Sequence, residues 1–380
     1  MYYIRFLKSP RIIGRGNEKA FGAKITITTD LGESFLAADL GICVDVVEED
    51  GESILGPAGR EYVWKGREGM RSLEVSLPMR KVRKVERVRM VVAAKGEAYV
   101  DSFESVLGIG EKKEGILGGV VTVRSMEIDG YTGYPIGTGL AERVFSSSIR
   151  NGLTEIHIWE ETGESIARHV WDAGLVLSSY IASLPHITDS PLPRLPILES
   201  ALSSPSLNIL ELGAGCGIVG ITILHTLPSP THILLTDLPE ATEILSRNTS
   251  APVLDLSPST TSKISHQVLD WSLPLPSNVA ATKWDIVFVA DCTYNPDVVP
   301  DLVKTLGRVA DGNREGKVVV AMKVRHESEL VFFDLMKERG FVVNEKGIVP
   351  LPVLGGEDQE IEVFVFGCGG EVPILQKTLR

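Results

Sequence analysis

The 380-residue sequence contains no apolar run that approaches the roughly 18 residues a membrane-spanning helix needs. Its longest apolar stretches, such as residues 318–322, have the length of a strand. The first residues, 1–5, lack the charged and then apolar plan of a secretory signal, so we expect none. The sequence therefore predicts a protein without a membrane partner.

Cysteine and histidine patterns are equally sparse. The four cysteines at positions 43, 216, 292 and 368 form no CxxC pair, and the seven histidines show neither HxxxH nor HExxH spacing. Neither a disulfide framework nor a metal site is predicted. A reducing setting, cytosolic or nuclear, fits this composition best, and we predict a cytoplasmic location.

Excess positive charge is missing too, because 38 Lys and Arg face 50 Asp and Glu, a net charge of −12. Such a surface argues against binding of nucleic acid or anionic lipid by counterion release. One basic cluster is an exception, and it reads either as a solvated strand or helix face or as a docking patch for an acidic protein or RNA. It comprises Arg80, Lys81, Arg83, Lys84, Arg87 and Arg89, interleaved with Val82, Val85 and Val88.

The chain length predicts about two domains, and a 43% hydrophobic share is enough to build their cores. Residues 1–140 read as an all-β N-terminal domain, sandwich or barrel-like, because segments such as 23–29 and 72–77 alternate between apolar and polar residues. No helical period is found there. A glycine-rich joint at residues 130–139 predicts a domain boundary nearby.

Residues 150–380 alternate between strands and helices. Several of the strands are continuously apolar, as expected where helices cover both faces of a parallel sheet. A hairpin at residues 341–344 and 361–366 is predicted to close one edge. The preceding elements are a strand at 154–159, a helix at 170–181 and strands at 207–212, 232–236, 264–269, 285–290 and 317–321.

A glycine-rich loop follows the strand at 207–212. Gly213, Gly215 and Gly217 allow positive φ and carry no Cβ, so a nucleotide-type ligand can lie on the backbone amides. The same segment fits a dinucleotide fingerprint, with Asp237 placed 22 residues after Gly215 (237 − 215 = 22), so the spacing alone does not separate NAD from S-adenosylmethionine. Glu211 beside the loop favours a ligand that carries an ammonium group.

The segments 211–217, 236–240, 269–271 and 291–294 resemble the successive motifs of the seven-β-strand methyltransferases. The last one, a DxxY sequence, is similar to the signature of methyltransferase family 16, whose characterised members are mostly protein-lysine methyltransferases. Residues 170–173 resemble that family's Trp segment. The resemblance covers residues 150–380 and implies an α/β fold: a doubly wound, seven-stranded, Rossmann-like methyltransferase sheet with an antiparallel last strand.

Position by position, the resemblance implies a cofactor site for S-adenosylmethionine. Trp171 or Trp271 would otherwise be an ordinary buried aromatic residue, and Asp237 would otherwise cap the turn at Pro239. In the site, Trp171 lies near the cofactor, Gly213, Ala214 and Gly215 run under its methionine part, Asp237 takes the ribose hydroxyls, Trp271 flanks the adenine and Ala290 lies beside the methyl end.

Asp291 and Tyr294 are the predicted catalytic residues. Methyl transfer to an amine is an in-line displacement that needs a neutral lone pair about 3 Å from the methyl carbon. A lysine arrives mostly protonated, so Asp291 would capture and orient the ammonium, while Tyr294 offers a hydroxyl acceptor and an aromatic wall. Asp291 as the cap of a helix at 296–306 is the plainer alternative. The roles of Lys323, Arg325 and His326 stay open.

We therefore predict an S-adenosylmethionine-dependent protein-lysine N-methyltransferase that acts on a lysine-bearing protein, a translation elongation factor or a chaperone, and that is a monomer. A small-molecule methyltransferase would share every cofactor motif. A NAD-linked oxidoreductase would need a catalytic group that the sequence offers only diffusely, in Tyr294 and Lys323. A non-catalytic interaction protein is disfavoured because the motifs are intact. Cys216 and Cys292 lack a His or Asp partner in the sequence and are interpreted as packing residues.

Overall fold

The computed structural model describes most of the chain. The described ranges are 1–49, 51–54, 60–79, 86–108, 118–137, 139–149, 152–162, 168–185, 192–227, 231–256 and 261–369. Of the basic cluster, Arg80, Lys81, Arg83 and Lys84 lie outside these ranges, as do Val82 and Val85. None of the helices in the described part is long and apolar enough to cross a membrane.

The first part of the chain forms two β-sheets and confirms the predicted all-β N-terminal region. One sheet has the strand order β5-β2-β1-β8-β7, and the other has the order β12-β11-β9-β6-β3-β4, with β10 paired to β6. We call the part built from β1 to β12 the N-terminal β module. Its strands are β1 (Tyr2–Ile13), β2 (Ala20–Thr29), β3 (Asp39–Val47), β4 (Arg60–Lys65), β5 (Leu73–Pro78), β6 (Arg87–Ala94), β7 (Tyr99–Val100), β8 (Val120–Val121), β9 (Val123–Ser125), β10 (Ile128–Asp129), β11 (Leu140–Ile149) and β12 (Gly152–Glu161).

Period-two alternation explains how the two sheets pack. Val88, Met90 and Val92 of β6 are buried in a core that also holds residues of β1 and β2 from the other sheet. Between Val88 and Met90, Arg89 points to the opposite face of the sheet, where it pairs with Glu142 at 2.7 Å. The described end of the basic cluster thus forms salt bridges with its own sheet, and its strand alternates as a half-buried strand does.

One local feature differs from the sequence expectation. A one-turn helix, α1 (Phe103–Val106), lies within the all-β region, where Ser102 caps it by accepting a hydrogen bond from the Ser105 amide. One turn is too short to produce a 3.6-residue period. The glycine-rich joint at 130–139 connects β10 to β11, and β11 then pairs along its length with β12.

The second part of the chain forms a seven-stranded sheet with the order β15-β14-β13-β16-β17-β19-β18. Strands β13 to β17 run parallel, and β19 runs antiparallel to both β17 and β18. This arrangement is a mixed α/β, Rossmann-like sheet. Its strands are β13 (Leu207–Leu212), β14 (Thr231–Asp237), β15 (Lys263–Val268), β16 (Ile286–Ala290), β17 (Lys317–Met322), β18 (Phe341–Leu351) and β19 (Gln359–Cys368).

Helices cover both faces of this sheet, and strand residues alternate between the two cores. The helices are α2 (Asp172–Ser183), α3 (Pro196–Leu202), α4 (Ile218–Thr226), α5 (Thr242–Asn248), α6 (Ala251–Leu254), α7 (Ser277–Ala281), α8 (Val299–Gly312) and α9 (Val331–Glu338). Ile209 and Phe288 point to the core with α2, α4 and α5, whereas Leu210 and Val287 point to the core with α7, α8 and α9.

The N-terminal β module packs directly on the Rossmann-like sheet's helical layer. Tyr3 and Phe145 of the module belong to the same continuous core as Val176 of α2 and Ile218 of α4. Asn248 at the end of α5 also holds β12, because its side chain bonds both the amide and the carbonyl of Trp159 at 2.9 Å. One core therefore joins the two parts of the chain.

Candidate active site

The glycine loop has the strand–loop–helix context that the sequence predicts. It connects β13 to α4, and Gly213, Gly215 and Gly217 all adopt positive φ, at 67°, 55° and 79°. A Cβ added at Gly213 would lie 2.4 Å from the Sγ of Cys292 and 3.2 Å from the ring of Trp271. Glycine is required at this position both by the backbone conformation and by the close approach of its neighbours.

Two of the predicted cofactor residues lie within the base of the loop. Glu211 is buried in β13, and its Oε2 accepts a hydrogen bond of 2.8 Å from the Gly220 amide at the start of α4. Burial raises the pKa of Glu211 to about 8. The amide of Ala214 donates to the carbonyl of Thr236 on the neighbouring strand. These contacts fasten the loop to the sheet.

Asp237 stands at the end of β14 and faces the loop. Its Oδ2 accepts from the Gly215 amide and its Oδ1 from the Leu238 amide, each at 2.7 Å. Burial raises the pKa of Asp237 against the opposing effect of these hydrogen bonds. The carboxylate thus bonds the glycine loop as well as the adjacent Leu238, and no side-chain cap is found for the turn at Pro239.

A cavity of about 510 Å³ opens beside this loop, at the carboxyl ends of β13, β14, β15 and β16. This is where ligands bind in open α/β sheets, and the volume lies within the usual range of ligand pockets. Eight of the ten predicted site residues line the cavity, whereas Glu211 and Ala214 are not among its lining. The eight are Trp171, Gly213, Gly215, Asp237, Trp271, Ala290, Asp291 and Tyr294.

The remaining lining residues add charge and apolar surface. Arg168 approaches the cavity while its guanidinium pairs with Glu161 at 2.6 Å. Three further carboxylates, Glu240, Asp270 and Asp301, face the same space. Together with Asp237 and Asp291 the lining holds five carboxylates and one basic side chain, so the cavity carries an acidic surface.

Asp291 occupies the end of β16 in a strained conformation. Its φ of 58° is unusual for a residue with a Cβ, and its carboxylate is buried. Both oxygens are held by the fork of Arg325, with NH1–Oδ1 at 2.7 Å and NH2–Oδ2 at 2.9 Å. Burial raises the pKa of Asp291 against the opposing effect of Arg325. Helix α8 begins at Val299 with Val298 as its N-cap, so Asp291 does not cap it.

Tyr294 is half exposed and lines the cavity next to Asp291. Burial of its ring raises the pKa of its hydroxyl, which stays protonated at neutral pH. Cys216 and Cys292 are buried, and burial raises the pKa of both thiols well above the ordinary value. Such thiols pack rather than react, as the sequence predicts.

The sequence alone assigns no role to Arg325, Lys323 or Asp30. Besides Asp291, Arg325 pairs with Asp30 at 2.7 Å, and its guanidinium carbon lies 5.9 Å from the ring centroid of Trp171. Lys323 pairs with Asp172 at 2.7 Å. Asp30 belongs to the N-terminal β module, and no local sequence pattern places it beside residues almost 300 positions later.

Known proteins match the second part of the chain. A family model described as lysine methyltransferase matches residues 151–339. EEF1A lysine methyltransferase 3 of Xenopus tropicalis is 30% identical over 182 residues, which are 47% of this chain and 69% of that protein. Protein N-lysine methyltransferase METTL21A of Mus musculus is 29% identical over 187 residues, 49% of this chain and 73% of that protein.

A UPF0665 family protein of Schizosaccharomyces pombe is 31% identical over 197 residues. That match covers 51% of this chain and 54% of the yeast protein, so the chain spans about half the length of this relative. The family model begins at residue 151, and it therefore leaves nearly the whole N-terminal β module outside its match.

Proposed function

This chain belongs to the lysine methyltransferase family, and on that premise we propose that it is an S-adenosylmethionine-dependent protein-lysine N-methyltransferase. One observation carries the proposal beyond family membership. Eight residues predicted from separate sequence motifs converge on a single cavity at the carboxyl ends of adjacent parallel strands. Unrelated motifs would have no reason to meet there.

The residues around the glycine loop fit S-adenosylmethionine. Gly213 and Gly215 present backbone without Cβ atoms toward the cavity, which suits the methionine part, and Asp237 retains lone pairs beyond its two amide bonds for ribose hydroxyls. Trp271 and Trp171 supply flat apolar walls. When bound, the cofactor supplies the electrophilic methyl group, and Ala290 is proposed to lie beside it.

Glu211 is proposed to attract the ammonium group of the cofactor from its buried position in β13. In this structure its carboxyl holds the Gly220 amide and is protonated near neutral pH, given a pKa of about 8. An ammonium group that approached the loop would favour the ionised form, because an opposite charge lowers a carboxyl pKa. Ala214 contributes backbone to the same part of the loop.

The acceptor end is proposed to lie at Asp291 and Tyr294. Asp291 lines the cavity, and although Arg325 holds both of its oxygens, each oxygen keeps a further lone pair with which Asp291 is proposed to orient a lysine ammonium before the proton leaves to water. Tyr294 offers its ring face and its hydroxyl to the same group. Because the lone pair of the neutral amine is the nucleophile, positioning contributes more than a strong base would.

A protein segment is proposed as the acceptor, with a translation elongation factor as the first candidate class and a chaperone as the second. Two named relatives are protein-lysine methyltransferases, and one of them acts on EEF1A. The acidic lining of the cavity suits a basic segment of the partner. A small-molecule acceptor is the competing outcome.

We propose the rest of the expected organisation on the same basis. Residues 1–140 are proposed as a β-rich domain and residues 150–380 as the catalytic domain; the first strand of the second range, β12, pairs with β11 and so lies in a sheet of the N-terminal β module. The Rossmann-like sheet with its reversed strand β19 is proposed as the methyltransferase arrangement. A cytoplasmic monomer agrees with the sequence, and the net charge of −12 disfavours nucleic acid and anionic membranes as partners.

Thermal unfolding with S-adenosylhomocysteine and, separately, with NAD tests the cofactor. A ligand present at about 100 times its dissociation constant adds about 2.7 kcal/mol to the free energy of unfolding. We expect S-adenosylhomocysteine to raise the melting temperature and NAD to leave it unchanged. Stabilisation by NAD alone would overturn the assignment.

A second experiment tests the acceptor. The protein is incubated with labelled S-adenosylmethionine and a cell lysate, and we expect a labelled protein. Label in metabolites without any labelled protein contradicts the proposal.

A further inference from the structure

Arg325 connects the proposed acceptor end of the cavity to the N-terminal β module. Its NH1 and NH2 hold the two oxygens of Asp291, and its NH2 also donates to the Oδ2 of Asp30 at 2.7 Å. A guanidinium has two hydrogens on each terminal nitrogen, so the two carboxylates take different hydrogens. Both pairs therefore form at the same time, and the Asp30 carboxylate holds the Arg325 guanidinium in place while that guanidinium binds Asp291.

Asp30 is itself well fixed. Its side chain is almost completely buried at the end of β2, where its Oδ1 accepts from the Leu31 amide at 3.0 Å and its carbonyl accepts from Arg5 at 2.8 Å. Lys323 lies 3.5 Å from the same carboxylate. A rigid, buried carboxylate of this kind is a suitable anchor for a partly exposed Arg325.

Asp291 needs such support because its backbone is strained. A non-glycine residue at positive φ persists only where its surroundings determine the conformation. The Asp291 amide donates to the carbonyl of Ala321 at 2.9 Å, and the Asp291 carboxylate has two further contacts. They are the fork of Arg325 and a long 3.5 Å approach of the Ala173 amide. The stronger of the two is the one that Asp30 anchors.

We propose that Asp30 is a positioning residue for methyl transfer: it anchors Arg325, and through Arg325 it holds the Asp291 carboxylate at the acceptor end of the cavity. The N-terminal β module thereby takes part in building the site, although the family match begins at residue 151. This inference rests on the proposed function, in which Asp291 meets the acceptor.

The direction in which the pKa of Asp291 changes when Asp30 is replaced distinguishes anchoring from simple charge repulsion. Asp30 carries a like charge that raises the pKa of Asp291, whereas Arg325 lowers it. If Asp30 acted only through its charge, Asp30→Asn would lower the pKa of Asp291. If Asp30 anchors Arg325, the same substitution loosens the guanidinium and raises that pKa. The other titratable groups that face this cluster are Asp172, Lys323, Tyr3, the Met1 amino group, Cys292 and Tyr294, and none of them is substituted in this comparison.

The experiment is a carbon-13 titration of aspartate carboxyls in the full chain, with the Asp291 signal assigned by its loss in Asp291→Asn. We expect Asp30→Asn to raise the pKa of Asp291, and the same substitution in an Arg325→Gln background to lower it. Asp45→Asn is the matched control, because Asp45 is a carboxylate of the same module that bonds Val46 and Ser53. It should move the Asp291 titration in neither background. A lowered or unchanged pKa in Asp30→Asn with Arg325 intact overturns the proposal.

The rate of methyl transfer provides a second, independent test. We expect Asp30→Asn to reduce the rate of label transfer about tenfold and Arg325→Gln to reduce it further, with the double variant no slower than Arg325→Gln alone. S-adenosylhomocysteine affinity should be unchanged in Asp30→Asn. Rates that multiply in the double variant contradict action through Arg325. If the wild type labels no protein, the proposed function fails, and the titration alone still decides whether Asp30 anchors Arg325.

Discussion

Replacing Gly213 by alanine probes the glycine loop where its backbone and its neighbours both demand glycine. At a φ of 67° an alanine must adopt the left-handed conformation, which costs about 1–2 kcal/mol of stability. The same Cβ would lie 2.4 Å from the Sγ of Cys292, and overpacking of this kind costs about 1–3 kcal/mol more. We expect Gly213→Ala to lower the free energy of unfolding by about 2–5 kcal/mol, measured by urea denaturation without cofactor.

Gly69 offers a matched control. Its φ of 76° imposes the same backbone strain, but nothing lies within 4 Å of an added Cβ. Gly69→Ala should therefore cost only the strain of about 1–2 kcal/mol. Because the ring of Trp271 also lies 3.2 Å from the added atom, Gly213→Ala should weaken S-adenosylhomocysteine binding about tenfold or more, whereas Gly69→Ala should leave it unchanged.

A second substitution tests the steric reason directly. Cys292→Ala removes the Sγ that crowds position 213, so the double variant should recover part of the stability that Gly213→Ala loses. The reasoning is refuted if Gly213→Ala costs no more than Gly69→Ala, or if Cys292→Ala brings no recovery.

Three further substitutions address the other predicted site residues. Asp237→Asn should weaken S-adenosylhomocysteine binding about tenfold in calorimetry, because one ribose acceptor is lost, and an unchanged affinity would remove Asp237 from the site. Glu211 binds more protons in the folded protein than in the unfolded chain, so it lowers stability as pH rises from about 4.5 to about 8. Glu211→Gln should abolish this slope of up to about 1.4 kcal/mol per pH unit in urea denaturation at several pH values, and an identical slope would contradict the raised pKa. Asp291→Asn should slow label transfer to protein about 100-fold with little change in S-adenosylhomocysteine affinity, whereas full activity would exclude Asp291 from acceptor binding.

The part of the chain that forms the Rossmann-like sheet was predictable because its sequence signals are local. Three local patterns predict the site: a continuously apolar strand, three glycines at alternate positions after it, and an acidic residue at the end of the next strand. Together they predict a glycine loop at one edge of a sheet, with the acidic residue close to it. Parallel strands in a Rossmann-like sheet bring such segments together at one edge, which is why Trp271 and Tyr294 lie at the same cavity as Gly213.

The charge pairing behind the cavity was not predictable from the same signals. The sequence predicts that Asp291 captures and orients a lysine ammonium, yet the structure shows its carboxylate buried and paired with Arg325. That pair depends on how the chain after β17 turns back, and its anchor Asp30 depends on how the N-terminal β module packs. Both are set by tertiary contacts between residues far apart in sequence, for which a single sequence carries no pattern.

Mapping the labelled residue by mass spectrometry tests the central claim most directly. The protein is incubated with labelled S-adenosylmethionine and a cell lysate, with Asp291→Asn run in parallel. The account predicts label on a lysine side chain of a protein, and strongly reduced label with the variant. Label on a histidine, on a chain terminus or on no protein at all would contradict it.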